Sequence, residues 1–167
     1  MRTFLGAYWG NRKESARACA ERLERFVTDI QASDPSFSRW FRKGRTLKGA
    51  HSAIDMSVDE IQRLLKTNNR DDNGQPIQEL GFGFSAWNGE RCSLAAQMGS
   101  FSSPTPNSVL LETRDELPMS TWKHVADCAI AAFDPDALIV TSDELSAKSS
   151  AVPIWTRPGL INFRRAS

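Results

Sequence analysis

The residues of this chain that could do chemistry are two histidines, three cysteines and several adjacent carboxylates. His51 lies in a Gly-Ala-His-Ser loop near Asp55, and His124 lies on a predicted helix that also carries Asp127. Neither histidine has a second His or Cys at metal-ligand spacing. We therefore favour a surface or capping role for both over acid/base work, and the sequence predicts no metal site and no cofactor.

The cysteines do not form a recognisable reactive or metal-binding motif. Cys19, Cys92 and Cys128 are odd in number and widely spaced, and each lies in an apolar pattern. Such a pattern is typical of buried thiols in a reducing compartment. A catalytic thiol would need a basic partner, and only the two histidines are available.

The adjacent carboxylates lie in predicted turns or at helix starts, where acidic side chains bind free N–H groups. They are Asp71 with Asp72, Asp115 with Glu116, Asp134 with Asp136, and Asp143 with Glu144. The chain has no GxxxxGK[ST], GxSxG or HExxH motif and no GxGxxG followed by a helix. We predict that the protein is not an enzyme; a small hydrolase or transferase using one of the histidines as a base is the least favoured alternative.

One segment has a local charge bias, with two aromatic residues among five basic ones. It contains Arg39, Trp40, Phe41, Arg42, Lys43, Arg45 and Lys48. Such a segment can hold phosphates and stack a base, so a small nucleic-acid-binding module using residues 39–48 is the main alternative function. The chain has 21 basic and 20 acidic residues, a net charge of +1, and this near balance favours a solvated face or a protein-binding patch.

The elements that position these residues begin with a strand in RTFLGAYWG and a helix that follows it. Asn11, with Glu14 three residues later, is predicted to cap this helix, which ends near Ala32. Its apolar residues recur at spacings of three and four and predict one buried face. They are Ala16, Cys19, Ala20, Leu23, Phe26, Val27 and Ile30.

Further helices and strands follow from the same kinds of signal. Ser57 with Glu60 predicts a second, short helix, and Ser120 is predicted to cap a third. GFGFSAWNG and CSLAAQMGSF predict a hairpin around Asn88 and Gly89, and SVLLET, ALIVTS and LINF predict further strands. We predict a single α+β domain over residues 1–167, with a mostly antiparallel sheet packed against three to four helices.

The chain shows no signal for secretion or membrane insertion. The apolar stretch in MRTFLGAYWGN is too short for a signal-peptide core, and no window approaches the roughly 18 apolar residues of a membrane helix. We expect a cytoplasmic protein with no membrane partner.

Four stretches, in the expected order along the chain, together resemble the bacterial polymorphic-toxin immunity proteins of the immunity protein 52 family. They are GAYWGNRKESARACAERLERF, RWFRKG at 39–44, RDDNGQPIQELGF at 70–82 and AWNG at 86–89. The resemblance implies an α+β fold without enzymatic activity that binds and neutralises a cognate secreted toxin. It further implies that the toxin is a restriction-endonuclease-like nuclease, a DNase effector, delivered by a type VI or related secretion system, and that the protein itself contacts no nucleic acid.

Two candidate contact surfaces for such a toxin follow. A basic nuclease cleft would attract an acidic surface, which the turn with Asp71, Asp72 and Glu79 could supply. The other candidate is the basic segment, suited to an acidic or apolar patch on the toxin; its residues are Arg39, Trp40, Phe41, Arg42, Lys43 and Arg45.

Two stretches that each contain Trp, Asn and Gly, GAYWGN at 6–11 and AWNG at 86–89, are predicted to serve packing and capping. This framework signature comprises Tyr8, Trp9, Gly10, Asn11, Glu14, Trp87, Asn88 and Gly89. We expect Trp9 to lie where a strand end meets the first helix, and near Trp87 if the two strands are neighbours.

Overall fold

The N-terminal strand lies in the interior of the sheet. A computed structural model describes residues 1–43, 51–67, 69–102, 104–147 and 159–166. Their strands are β1 (Thr3–Trp9), β2 (Phe41–Arg42), β3 (Phe82–Trp87), β4 (Cys92–Met98), β5 (Asn107–Thr113), β6 (Ala137–Ser142) and β7 (Ile161–Arg164). They form one antiparallel sheet in the order β2-β3-β4-β5-β1-β6-β7.

The described helices are α1 (Ala16–Gln31), α2 (Val58–Leu65), α3 (Met119–Phe133) and α4 (Asp143–Ala147). Short 3-10 turns lie at Pro35–Phe37 and Gln78–Leu80. α1 packs against both α2 and α3. The α+β fold with a mostly antiparallel sheet is therefore confirmed.

The core forms between the helices and one face of the sheet. Every residue predicted for the apolar face of α1 is buried, from Ala16 to Ile30. In β4, Cys92 and Leu94 are buried while Ser93 and Ala95 are half-exposed, the alternation of a strand with one covered face. The side chains from both sources belong to one continuous hydrophobic cluster.

The predicted cap of α1 is wrong by one helical turn. The helix begins after Ser15, whose hydroxyl accepts a hydrogen bond from the N–H of Ala18 at 3.1 Å. Asn11 lies before this point, and the Glu14 carboxylate instead binds Arg12 and Arg22. The local Asn-x-x-Glu pattern matches a capping box, but the carboxylate of Glu14 forms ion pairs with two arginines, Arg12 and Arg22.

The predicted cap of α3 is also wrong, by two residues. Pro118 precedes the first helical residue, so Ser120 lies inside the first turn. Proline suits a helix start because its fixed φ fits the turn and its missing N–H has no helical partner there anyway. At the other end, Asp134 adopts a left-handed conformation with φ 49° and ends the helix.

The hairpin and the remaining strands are confirmed, but the expected proximity of Trp9 to Trp87 is not. β3 and β4 pair around Asn88 and Gly89, and LINF contributes to β7. However, β4 and β5 separate β3 from β1. The strands that carry the two tryptophans are therefore not neighbours.

Candidate functional site

Strand β2 divides the basic segment between the two faces of the sheet. Phe41 is paired directly with Trp87, so both side chains lie on the face opposite the helices. The guanidinium of Arg39 lies over the Phe41 ring, 5.7 Å from its centroid. Arg42 points to the other face, where it borders α2 beside Leu64. Arg45, which belongs to the same predicted site, lies outside the described residues.

The prediction that Trp40 is an exposed contact residue is not supported by its position. Its side chain is only 3% exposed and belongs to the hydrophobic core. Its indole N–H donates to the carbonyl of Phe37 at 3.1 Å. The alternation of side chains along β2 turns this ring inward, so the outward-facing aromatic residue of the segment is Phe41.

The turn between β3 and β4 supports the Phe41 ring. The Asn88 side chain closes this turn by accepting hydrogen bonds from the N–H groups of Glu90 and Cys92, both at 2.9 Å. Gly89 has φ 87°, and a Cβ there would come within 3.1 Å of the Phe41 ring. The predicted Asn-Gly turn therefore has a second role, because Gly89 has no side chain and so leaves room for the Phe41 ring.

Residues 51–54 extend this surface and cover the outer edge of β2. The N–H of Arg42 donates to the carbonyl of Ser52 at 2.9 Å, and the N–H of Ile54 donates to the carbonyl of Trp40 at 2.9 Å. This pairing places the imidazole of His51 6.3 Å from the Trp87 ring, tilted by 50°. Between Arg39, Phe41, His51 and Gly89 lies a cleft of about 380 Å³.

Two arginines that the sequence analysis did not select join the same region. A second cleft of about 500 Å³ is lined by Lys43, Trp87, Arg91 and Arg114, together with the carboxylates of Glu90 and Glu112. Arg91 follows the hairpin turn and Arg114 follows β5, and the register of β4 against β5 brings them together. No local sequence signal connects residues this far apart.

We call this region the sheet-edge patch and define it as Arg39, Phe41, Lys43, His51, Trp87, Arg91 and Arg114. Arg91 pairs with Asp115 at 3.6 Å. In the described part of the chain, no carboxylate lies within 4.0 Å of the charged groups of Arg39, Lys43 or Arg114. The patch thus offers aromatic rings and cations to an incoming surface.

The predicted acidic turn is exposed, but one of its carboxylates maintains the turn itself. Asp71 accepts hydrogen bonds from the N–H groups of Asn73 and Gln75 at 2.9 and 2.8 Å. Asp72 and Glu79 are exposed. Asp71 is exposed as well, so the turn presents three carboxylates to a partner, one of which also maintains the shape of the turn.

Glu14 connects the start of α1 to the end of α3. Its carboxylate binds Arg12 at 3.1 Å and Arg22 at 2.7 Å. Arg12 also donates to the carbonyl of Phe133, and Arg22 to that of Ala132, both at 2.8 Å. The two guanidinium groups therefore satisfy carbonyls at a helix C-terminus, where positive charge is favourable.

The remaining signature residues also have framework positions. Tyr8 lies against the backbone of Gly6, on the face of the sheet away from the helices. The N–H of Gly10 donates to the Asp136 carboxylate at 3.0 Å, and its carbonyl accepts from Asn107 at 2.8 Å. Asn11 is exposed.

The groups considered for catalysis do not assemble into a site. Burial raises the pKa of the Cys19 and Cys92 thiols to about 12, which makes both unreactive at neutral pH. His124 lies 3.2 Å from the carbonyl of Asp29 and 3.5 Å from Sγ of Cys128, and burial raises the pKa of that thiol too. Among the described residues, no three His, Cys, Asp or Glu side chains are grouped to hold a metal ion.

Within the described ranges, no helix combines the length and the apolar character needed to cross a bilayer.

Comparison with known proteins identifies the family. The model of the immunity protein 52 family matches residues 2–159, a range that includes β1 to β6, both clefts and the acidic turn. A search of the curated proteins finds no match to this chain. Because the family match extends over nearly the whole sequence, the chain belongs to the immunity protein 52 family and is an immunity protein that binds a cognate toxin.

Proposed function

We propose that the protein neutralises a restriction-endonuclease-like nuclease toxin of a type VI or related secretion system, and that it does so in the cytoplasm through the sheet-edge patch. The observation that carries the choice of surface is the Arg39 guanidinium over the Phe41 ring, 5.7 Å from its centroid, next to Trp87 and His51. Aromatic residues and arginine are the side chains that most often dominate binding energy at protein interfaces.

The charge of the patch suits a nuclease. Enzymes that cleave phosphodiesters with metal ions hold those ions with carboxylates, so an acidic centre lies within the cleft that an inhibitor must block. Lys43, Arg91 and Arg114 line one cleft of the patch beside Glu90 and Glu112, and in the described residues Lys43 and Arg114 have no carboxylate within 4.0 Å. Cations placed there would pair with such carboxylates while the rings cover the surrounding surface.

The acidic turn is a second proposed contact. Asp72 and Glu79 are exposed and would face the basic rim with which a nuclease holds the nucleic-acid backbone. Reversal of both charges would slow association and reduce its dependence on salt. An unchanged association rate would remove the turn from the interface.

The main experiment mixes the purified protein with the product of the neighbouring toxin gene and measures complex formation and nuclease activity together. We expect a stoichiometric complex in which cleavage of DNA stops. If the toxin remains free and active, the protein does not neutralise it and the proposal fails.

A pair of variants tests the surface. Arg39→Glu with Lys43→Glu should weaken toxin binding by about tenfold or more, because each change replaces an attraction with a repulsion. Arg25→Glu with Lys123→Glu changes the net charge equally on exposed helical positions and should leave the affinity within about twofold. Equal affinities for the two double variants would exclude the patch.

The alternative function, a nucleic-acid-binding module, would use the same cations. A mobility-shift titration with generic DNA and RNA at several salt concentrations distinguishes the two, because phosphate contacts give a steep loss of affinity with salt. We expect no shift at physiological salt. A salt-dependent shift that Arg39→Glu with Lys43→Glu abolishes would support the alternative.

A further inference from the structure

A third cleft lies at the opposite end of the β3–β4 hairpin from the sheet-edge patch. It has a volume of about 400 Å³ and opens between the start of α1, the end of α2 and the residues that follow β4. Gly99 makes this junction possible, since it has φ 74° and a Cβ there would come within 3.1 Å of both the Glu14 carbonyl and the Phe82 ring. No motif in the sequence predicts this cleft.

The floor of the cleft is apolar. The rings of Phe82 and Phe101 and the side chain of Ile77 line it, and all three residues are half-buried. A pocket of this size can enclose an aromatic or large aliphatic side chain, the kind of anchor that dominates many interfaces.

The rim of the cleft is cationic. Lys13, Lys66 and Arg70 line it, and Lys13 is held over the Phe101 ring at 5.0 Å. Arg70 donates to the carbonyls of Gly74 and Lys66 at 2.7 and 2.6 Å. None of the three cations has a carboxylate within 4.0 Å in the described residues.

The only acidic side chain among the described residues that line the cleft is already compensated. Glu14 is bound by both Arg12 and Arg22, and only 9% of its side chain is exposed. Asp71 and Asp72 follow Arg70 in sequence but do not line the cleft. The cleft therefore presents net positive charge around an apolar floor.

We propose that this cleft is an anchor site for the cognate toxin, which it binds through an aromatic or large aliphatic side chain flanked by carboxylates. This inference rests on the proposed function. The apolar side chain enters between Phe82 and Phe101, and its acidic neighbours pair with Lys13 and Lys66. An unflanked apolar residue would leave the rim cations unpaired, so the chemistry of the site selects an acidic segment.

One partner can reach both ends of the hairpin. Residues 82 to 87 form β3, so its two ends lie about 17 Å apart at about 3.3 Å per residue. A typical interface buries roughly 800 Å² on each partner, which corresponds to a patch about 30 Å across. Phe82 packs against the core whereas Trp87 lies on the other face of the sheet, so a toxin that fills both sites must extend around the edge of the sheet.

The test uses a double variant of the cleft, Lys13→Glu and Lys66→Glu together. Its matched control is the double variant Arg25→Glu and Lys123→Glu, and calorimetric titration measures the binding of each to the toxin. We expect the cleft variant to bind about 10-fold to 100-fold more weakly and the control variant to bind like the unmodified protein. Phe101→Ala should also weaken binding about tenfold or more without changing the salt dependence, since it removes the floor and no charge. Thermal unfolding of each variant shows that the fold is retained, and the charge variants decide the test if Phe101→Ala unfolds.

The outcomes separate the two proposals. If the unmodified protein binds the toxin and the cleft variants bind equally well, the cleft is not an anchor site although the neutralising function stands. If the unmodified protein does not bind the toxin at all, the proposed function itself fails, and the inference fails with it.

Discussion

The indole of Trp9 stacks on the ring of Phe133, with centroids 5.8 Å apart and planes inclined by 9°. The Arg12 guanidinium also lies over the indole, 5.1 Å from its centroid. The indole N–H is buried and has no hydrogen-bond partner in the described part of the chain. Ring stacking, the cation over the ring and burial thus hold the end of β1 against the end of α3, without a hydrogen bond from the indole N–H to the described residues.

We predict that Trp9→Phe is tolerated far better than Trp9→Ala. Phenylalanine keeps a stacked ring and removes the unpartnered N–H, so we expect a loss of less than about 1.5 kcal/mol in the free energy of unfolding. Alanine removes the ring altogether and should cost about 3–5 kcal/mol. Denaturant unfolding of both variants measures the difference; equal losses would mean that the ring stack contributes little.

Glu14 should contribute more to stability than a surface carboxylate. Glu14→Gln removes the charge that binds two arginines in a site where its side chain is 9% exposed, and we expect a loss of about 2 kcal/mol. Glu21→Gln is the control, because its pair with Arg17 is exposed and worth at most about 0.5 kcal/mol. Similar losses for the two variants would contradict a linking role for Glu14.

Ser15 is the observed cap of α1 and Ser120 was the predicted cap of α3. We expect their substitution by alanine to change stability by different amounts. Ser15→Ala removes the hydroxyl that accepts from Ala18 and should cost about 1 kcal/mol. Ser120→Ala lies within the first turn of α3 and is exposed, so it should change the free energy of unfolding by less than about 0.5 kcal/mol. A larger cost at Ser120 would restore it as the cap.

A matched pair of glycines tests the support of Phe41. Gly89→Ala and Gly74→Ala both place a side chain at positive φ, at 87° and 76°, and each should cost about 1 kcal/mol of stability. Only at Gly89 does the new methyl group meet the Phe41 ring; at Gly74 it meets open space. We therefore expect Gly89→Ala to weaken toxin binding, measured by calorimetric titration. Gly74→Ala is the control for stability only, because it lies in the acidic turn that is itself a proposed contact.

Stability should fall at alkaline pH because of the buried thiols. Burial raises the pKa of Cys19 and Cys92 from 9.0 to about 12, so between these values the unfolded chain releases protons that the folded chain retains. The stability that is fully present below pH 9 is then lost by up to about 1.4 kcal/mol per pH unit for each thiol. The double variant Cys19→Ala and Cys92→Ala should lose less of its free energy of unfolding than the unmodified protein between pH 9 and 11. Between pH 6 and 8 the free energy of unfolding should depend on pH in the same way in both proteins.

Features that depend only on neighbouring residues, such as the buried face of a helix or a tight turn, were predicted correctly from the sequence. The spacing of Cys19, Leu23 and Ile30 identified the buried face of α1 because a helix repeats every 3.6 residues whatever packs against it. The turn at Asn88 and Gly89 was predictable for the same reason, since the positive φ at Gly89 is a property of a few adjacent residues.

The misplaced cap of α3 is a local error of two residues, whereas other features depend on contacts outside the local pattern. Asn11 and Glu14 form a valid capping pattern, yet the Glu14 carboxylate binds Arg22. Arg22 in turn donates to the carbonyl of Ala132 at the end of α3. Trp40 lies in a basic segment, but the strand alternation turns it into the core. Arg114 joins the sheet-edge patch only through the register of β4 against β5, which composition and spacing do not reveal.

The position of β1 has a consequence during translation. Phe4 is paired with Glu112 on one side and with Thr141 on the other, so β1 cannot be enclosed until β6 has been synthesised. At roughly 5–20 residues per second, this leaves β1 without its second partner for about 7 to 27 s. A chain released before β6 is made would have an open sheet edge, which is prone to aggregate.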